Sequence, residues 1–246
     1  MSAAGKASGQ RSLKLLCAGA VKGLVAALES RFLAARGAAI EGRFGAVGAM
    51  REALLGGAAC DVLVVTAAML AELRDQGVVA ESPFAAIGEV RTGVAARSGE
   101  AVPRIDSAAD LKAALVAAPA LYVPDTVQST AGKHVVAVLE RLGIAAEIAP
   151  RLSVHPNGAT AMRALAESGP PGALGCTQVT EILYTPGLAL AGPLPEPFGL
   201  STVYAAGRTR GAAEPALAQA FIELLVGDSS AAERRAGGFE PQTESG

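Results

Sequence analysis

The sequence predicts an α/β fold of two lobes with a ligand cleft between them. Three observations lead there. Apolar strand-like runs alternate with helical stretches three times before residue 77, the signature of βαβ units and a mostly parallel sheet. A second alternating series begins near residue 107, and two extended segments, 88–96 and 200–206, are placed to cross between the two units. Hydrophobic residues make up 51% of the 246 but aromatics only 4%, with no Trp, which suits layers packed through small side chains.

The elements follow in order. Residues 13–17 read as a strand, 18–20 as a turn, and 22–35 as a helix with apolar spacing at Leu24, Leu28, Phe32 and Leu33. Gly37 supplies the stop. A strand at 38–44 leads through Gly45–Ala49 to a helix at 50–55. The continuous apolar run at 61–66 suits a strand covered on both faces, and a helix follows at 68–76. In the second unit, Ser107 with Asp110 three residues on predicts a capped helix over 107–118. Strands are expected at 120–123, 147–152, 173–177 and 200–206, and helices at 131–142, 159–167, 178–184 and 214–226. The division expected is a disordered segment 1–12, one lobe from 13–87 plus 207–246, and a second from 88–206, with 237–246 frayed.

Composition narrows the partners. A formal net charge of −2 gives no electrostatic reason to expect nucleic acid or an anionic membrane. No apolar run is long enough for membrane insertion. Residues 1–12 lack the apolar core of a secretory signal, so the expected location is cytoplasmic if Met1 is the native start and periplasmic if a leader was removed. Cys17, Cys60 and Cys176 show no ligand spacing and read as small buried hydrophobes; no metal and no cofactor is expected.

In open α/β sheets, ligands bind where strands run into helices. Four such junctions carry small or hydroxyl residues that leave backbone N–H groups exposed: Gly19-Ala20, Val47-Gly48-Ala49, Ser129-Thr130-Ala131 and Gln178. Each helix N-terminus there brings unsatisfied donors and about half a positive charge, enough to attract an anion without Lys or Arg. Taken singly, each is also what a tight β–α turn requires.

Together, the turn at Ala18-Gly19-Ala20, the Gly45–Ala49 junction, Ser129-Thr130-Ala131-Gly132-Lys133-His134 and Gly175-Cys176-Thr177-Gln178-Val179-Thr180-Glu181-Ile182 resemble the periplasmic molybdate-binding protein family, in a divergent branch. The likeness covers residues 13–239 and implies the type II periplasmic-binding-protein fold, with two lobes, crossing strands and a cleft. It also implies hydroxyl donors to the oxyanion at the first two junctions and a tyrosine in the strand-end motif. This chain has Ala20, Val47 and Gln178 at those places. Losing three such donors disfavours molybdate or tungstate and favours a small organic anion, a di- or tricarboxylate.

Few ionisable side chains accompany these junctions. Lys22 and Lys133 stand in first helical turns, where a cation is electrostatically awkward unless an anion is near. His134 and His155 are the two histidines, and Glu181 reads as a cap or hinge residue. The same branch is similar to enzymes that isomerise aconitate. That resemblance implies a metal-free allylic proton shift, with His134, Lys22 or His155 as candidate proton carriers. Two functions of different class therefore stand: a binding protein for a small organic anion, partnered by an ABC permease if exported, and an isomerase on the same scaffold.

Overall fold

The computed structural model describes residues 11–241. Its strands are β1 (Arg11–Ala18), β2 (Ala38–Gly45), β3 (Val62–Thr66), β4 (Val79–Arg97), β5 (Leu121–Pro124), β6 (Leu152–His155), β7 (Leu174–Gln178), β8 (Leu188–Pro193) and β9 (Ser201–Thr209). Its helices are α1 (Lys22–Arg36), α2 (Val47–Leu55), α3 (Ala67–Asp75), α4 (Ala108–Ala117), α5 (Thr130–Arg141), α6 (Ala145–Ile148), α7 (Gly158–Ser168), α8 (Val179–Tyr184), α9 (Pro215–Val226) and α10 (Ala231–Ala236). The fold is mixed α/β, and the strands order as β2-β1-β3-β9-β4-β7-β5-β6, with β8 also paired to β4.

The pairing explains the two-lobed shape. β1 pairs parallel with β2 and β3, and β5 pairs parallel with β6 and β7. The 19-residue β4 joins the two groups. Its residues up to Arg91 pair with β9, and from Thr92 onward it pairs with β7 and β8. Each group carries its own apolar core. Leu15, Leu28, Phe32, Leu63, Leu70 and Phe221 belong to the first, where the Phe32 and Phe221 rings meet edge to face at 5.1 Å. Leu111, Leu121, Val135, Leu139 and Ile148 pack on one side of the second group, and Tyr122, Met162, Leu165 and Ile182 on the other.

Local signals account for most boundaries. α1 stops at Gly37, whose N–H bonds the Leu33 carbonyl at 2.8 Å. The Ser107, Ser129 and Asn157 side chains cap α4, α5 and α7. Asp61 is buried just before β3, and its carboxylate accepts from the backbone N–H of Lys14 (2.8 Å), Ala213 (2.7 Å) and Glu214 (3.0 Å). One side chain thereby ties β1 to the start of α9.

Four expectations are corrected. Residues 145–151 are helical rather than extended, because Ala145–Ile148 are good helix formers and Pro150 opens a 3-10 turn; the strand starts at Leu152. The Pro- and Gly-rich stretch after α8 contains β8, which follows β4 through an irregular register between Val94 and Ala95. Arg11 and Ser12, expected in a disordered segment, pair with Ala38 and Ala39; residues 1–10 of that segment lie outside the described residues. Gly237–Pro241, expected to fray, fold back so that Phe239 is buried and Glu240 exchanges backbone hydrogen bonds of 2.9 and 2.8 Å with Glu89; residues 242–246 lie outside the described residues. Segment 200–206 is expected to cross; the second core ends at Phe198 and the first resumes at Tyr204 in β9. No helix among the described residues is long and apolar enough to cross a membrane.

Candidate functional site

Strand–helix junctions from both groups converge on one small cavity. Ala18, Gly19 and Ala20 reach it from the end of β1, and Gly45, Ala46 and Val47 from the end of β2. Ser129 and Thr130 enter with α5, Asn157 and Gly158 with α7, and Gln178 and Glu181 with α8, while Tyr204 closes it from β9. The helices aim here because the parallel strands end here, and each cap leaves its first-turn amides pointing inward. The free volume is about 10 Å³, room for about one water.

The groups are held shut across this cavity. The Gly48 N–H donates to the Gln128 carbonyl at 3.1 Å, and the Gln128 amide donates to both Glu52 carboxylate oxygens at 3.0 Å. Gln128 precedes α5 and Glu52 lies on α2, so these bonds join the two cores.

A carboxylate lies among the helix N-termini. Glu181 is 5% exposed, in the first turn of α8. The Ala159 N–H donates to its Oε1 at 3.2 Å, and the Thr177 hydroxyl to its Oε2 at 2.6 Å. A Cβ at Gly158 would stand 1.9 Å from Oε2, and one at Gly19 would stand 2.5 Å from Oε1. Only glycine permits such an approach at either position. Burial pushes the Glu181 carboxyl up to about 7, against hydrogen bonds from Thr177, Ala159 and the Gln178 backbone that act to lower it. Among the described residues no cation forms a salt bridge with it. Burial also pushes the Tyr204 phenol above its usual range, and the Glu181 charge adds to that. Gln178 is buried, its amide N–H reaches the Thr202 hydroxyl at 3.4 Å, and its Oε1 has no partner.

The structure places the sequence-derived candidates unevenly. Gly19, Ala20, Val47, Ser129, Thr130 and Gln178 all line the cavity. Gly48 spends its amide on Gln128, Ala49 packs against the first core, and Ala131 is buried in the first turn of α5. Lys133 is exposed on α5. Lys22 sits beside the site, its Nζ 5.7 Å from the Phe44 ring and 5.9 Å from the Tyr184 ring. There it lines a neighbouring cavity of about 410 Å³ with Ala159 and Arg163. His134 hydrogen-bonds the Phe198 carbonyl at 2.8 Å, and His155 stacks on Tyr122 and meets Ser153 at 3.0 Å; neither lines the cleft cavity. Cys17, Cys60 and Cys176 are free and buried.

Asn157, Gly158, Glu181 and Tyr204 line the cavity without having been among the candidate binding residues. Glu181 carried a usable signal, a carboxylate three residues into a helix opened by Gln178, which is the capping-box position. Asn157-Gly158 carried the matching signal for α7. Tyr204 carried none, because its entry depends on β9 lying between β3 and β4.

Two α/β cores, a strand shared between them and a polar cavity at their junction define a two-lobed solute-binding protein of the type II periplasmic fold. The profile described as bacterial extracellular solute-binding protein matches residues 13–240, and the chain belongs to that family. Among solved structures it is similar to the periplasmic molybdate-binding protein of Azotobacter vinelandii, at 18% identity and a TM-score of 0.79, covering 94% of this chain and 100% of that one. The sulfate-binding protein of Mycobacterium tuberculosis aligns at 16% identity and a TM-score of 0.70, over 95% and 88% of the two chains. The substrate binding protein of an ABC transporter from Agrobacterium tumefaciens gives 14% identity and 0.69, over 94% and 78%. At these identities the likeness is one of fold. No curated protein sequence matches the chain.

Proposed function

We propose that the cleft binds a small organic carboxylate through first-turn backbone amides. The observation that carries this reading is the cavity wall itself: junctions before α1, α2, α5 and α7 meet there, and among the described residues no Lys, Arg or His lines it. Amides at helix N-termini offer an anion both hydrogen bonds and positive potential. Ala20 and Val47 bring no side-chain donors, which suits a ligand with an apolar part better than a tetrahedral oxyanion. Because the cavity holds about 10 Å³, entry requires the cores to part, and the Gln128 contacts with Gly48 and Glu52 are the ones that must break. The family's extracellular character supports delivery of the ligand to an ABC permease.

A thermal-shift screen against di- and tricarboxylates, sulfate and molybdate tests the reading. A ligand that binds only the folded state adds about 2.7 kcal/mol of stability at a hundredfold excess over its Kd. Carboxylates should raise the melting temperature and molybdate should not. Stabilisation by molybdate alone would sink the proposal.

A second reading is favoured by Glu181, whose buried carboxyl titrates near neutrality at about 7 inside the cavity. Such a group can take an allylic proton from a bound unsaturated carboxylate and return it to the far carbon, shifting the double bond with no net change in atoms or electrons. Deuterium entering aconitate from heavy water, followed by proton NMR, would support that isomerisation. Aconitate that binds and stays unlabelled would exclude it.

A further inference from the structure

Two features of the cavity wall have no use in a site for a bare anion. The first is Glu181: an acceptor carboxylate, 5% exposed, stands where the amides of an anion site converge. It is anchored by Thr177 at 2.6 Å and Ala159 at 3.2 Å, and flanked at contact distance by Gly19 and Gly158. The second is Gln178, 2% exposed, with Oε1 unpartnered in the same wall. Gln178 lines the cavity and its Oε1 is buried without a partner, and buried polar groups are rarely left so.

A ligand with only acceptors would set its charge directly against Glu181, with no cation among the described residues of the cavity wall. A ligand whose anionic group sits beside a hydroxyl meets both needs. Its carboxylate takes the helix N-terminal amides, and its hydroxyl donates to Glu181 and occupies the free Gln178 atom. We propose that Glu181, assisted by Gln178, makes the cleft selective for 2-hydroxycarboxylates over the matching unsubstituted acids and over fully ionised oxyanions. This rests on the carboxylate-binding reading above and adds a requirement to it.

Sites that hydrogen-bond a ligand hydroxyl discriminate steeply against the analogue lacking it, because a buried partner is then left unpaired. One charge-assisted hydrogen bond corresponds to a preference of about 10- to 100-fold. Calorimetric titration of the full chain with lactate against propionate, malate against succinate, and sulfate and molybdate reads this directly. It is run near pH 8, above the Glu181 titration.

In the unsubstituted protein the hydroxy acid of a pair should bind at least about tenfold tighter than its partner, and neither oxyanion should bind comparably. In E181Q the preference should collapse to within about threefold, and sulfate or molybdate affinity should rise, since the repelling charge is gone. Equal affinity within both pairs for the unsubstituted protein overturns the inference without recourse to any variant, while leaving carboxylate binding intact. An unchanged hydroxyl preference in E181Q overturns it equally. Absence of binding by every carboxylate tested overturns the underlying reading, and this one with it.

Discussion

Replacing Glu181 with glutamine should remove a pH dependence of stability that the wild-type protein carries. The folded carboxyl holds its proton up to about 7, whereas the unfolded chain releases it near 4.5. Between those values the folded state binds more protons than the unfolded one, so stability falls as pH rises. The contribution is fully present below 4.5 and lost by the time pH passes about 7. The gap from 4.5 to about 7 is about 2.5, and at about 1.4 kcal/mol each the loss is on the order of 3 kcal/mol. No solvent discount applies, since Glu181 is buried. Tyr204, on which the Glu181 charge acts, stays neutral throughout because burial pushes its phenol upward. His155, held below its usual range by burial, gives the opposite slope but gives it in both proteins. Urea unfolding of wild type and E181Q from about pH 4.5 to about pH 8 should therefore show the wild type losing roughly 3 kcal/mol relative to the variant. Parallel curves, or a wild type that gains on the variant as pH rises, would refute the placement of this carboxyl in an unpaired, dry site.

Further outcomes are expected at named positions. Gly158→Ala puts a methyl 1.9 Å from a Glu181 oxygen and 2.2 Å from the Thr177 hydroxyl, so it should destabilise by about 1–3 kcal/mol and abolish ligand-induced thermal shifts. Ser107→Ala removes only the cap of α4, remote from the cavity. It should cost about 0.5–2 kcal/mol in urea unfolding with ligand affinity unchanged. Asp61→Ala leaves three part-buried backbone donors without their shared acceptor, and stability in the same assay should fall by about 1–3 kcal/mol. Gln128→Ala deletes the side chain that reaches Glu52 across the cleft. Stopped-flow measurements should show faster ligand release, and small-angle scattering a larger radius without ligand.

The fold was legible because its signals are local and repeat. The apolar run before Thr66, the cap at Ser107 and the stop at Gly37 each appear in the structure within a residue or two of their expected places. Elements whose conformation depends on distant partners were not legible. β8 forms because β4 offers it a free edge, and Phe239 is buried because β4 and its neighbours provide a surface for the returning chain. The site divides in the same way. Small residues at the strand ends marked Gly19, Ala20, Val47 and Gln178, whose placement follows from strand direction. Titratable side chains were harder, since a His or Lys near a junction in sequence can point along any of several faces. His134 turns to the Phe198 carbonyl, whereas Glu181 turns inward because glycines at 19 and 158 leave it space.

The position of β9 bears on how the chain is made. The second core draws only on residues between Val94 and Phe198, so a nascent chain can complete it while still emerging from the ribosome. The first core draws on residues from Leu13 to Val90 and again from Tyr204 to Phe239. An interior strand of its sheet, β9, is among the last segments synthesised, yet it separates β3 from the first half of β4. Until it arrives, both strands present unpaired edges to the cell, and such edges recruit other chains. The half that begins the protein is thus the half that finishes last, and the interval before β9 emerges is when a chaperone has most to protect.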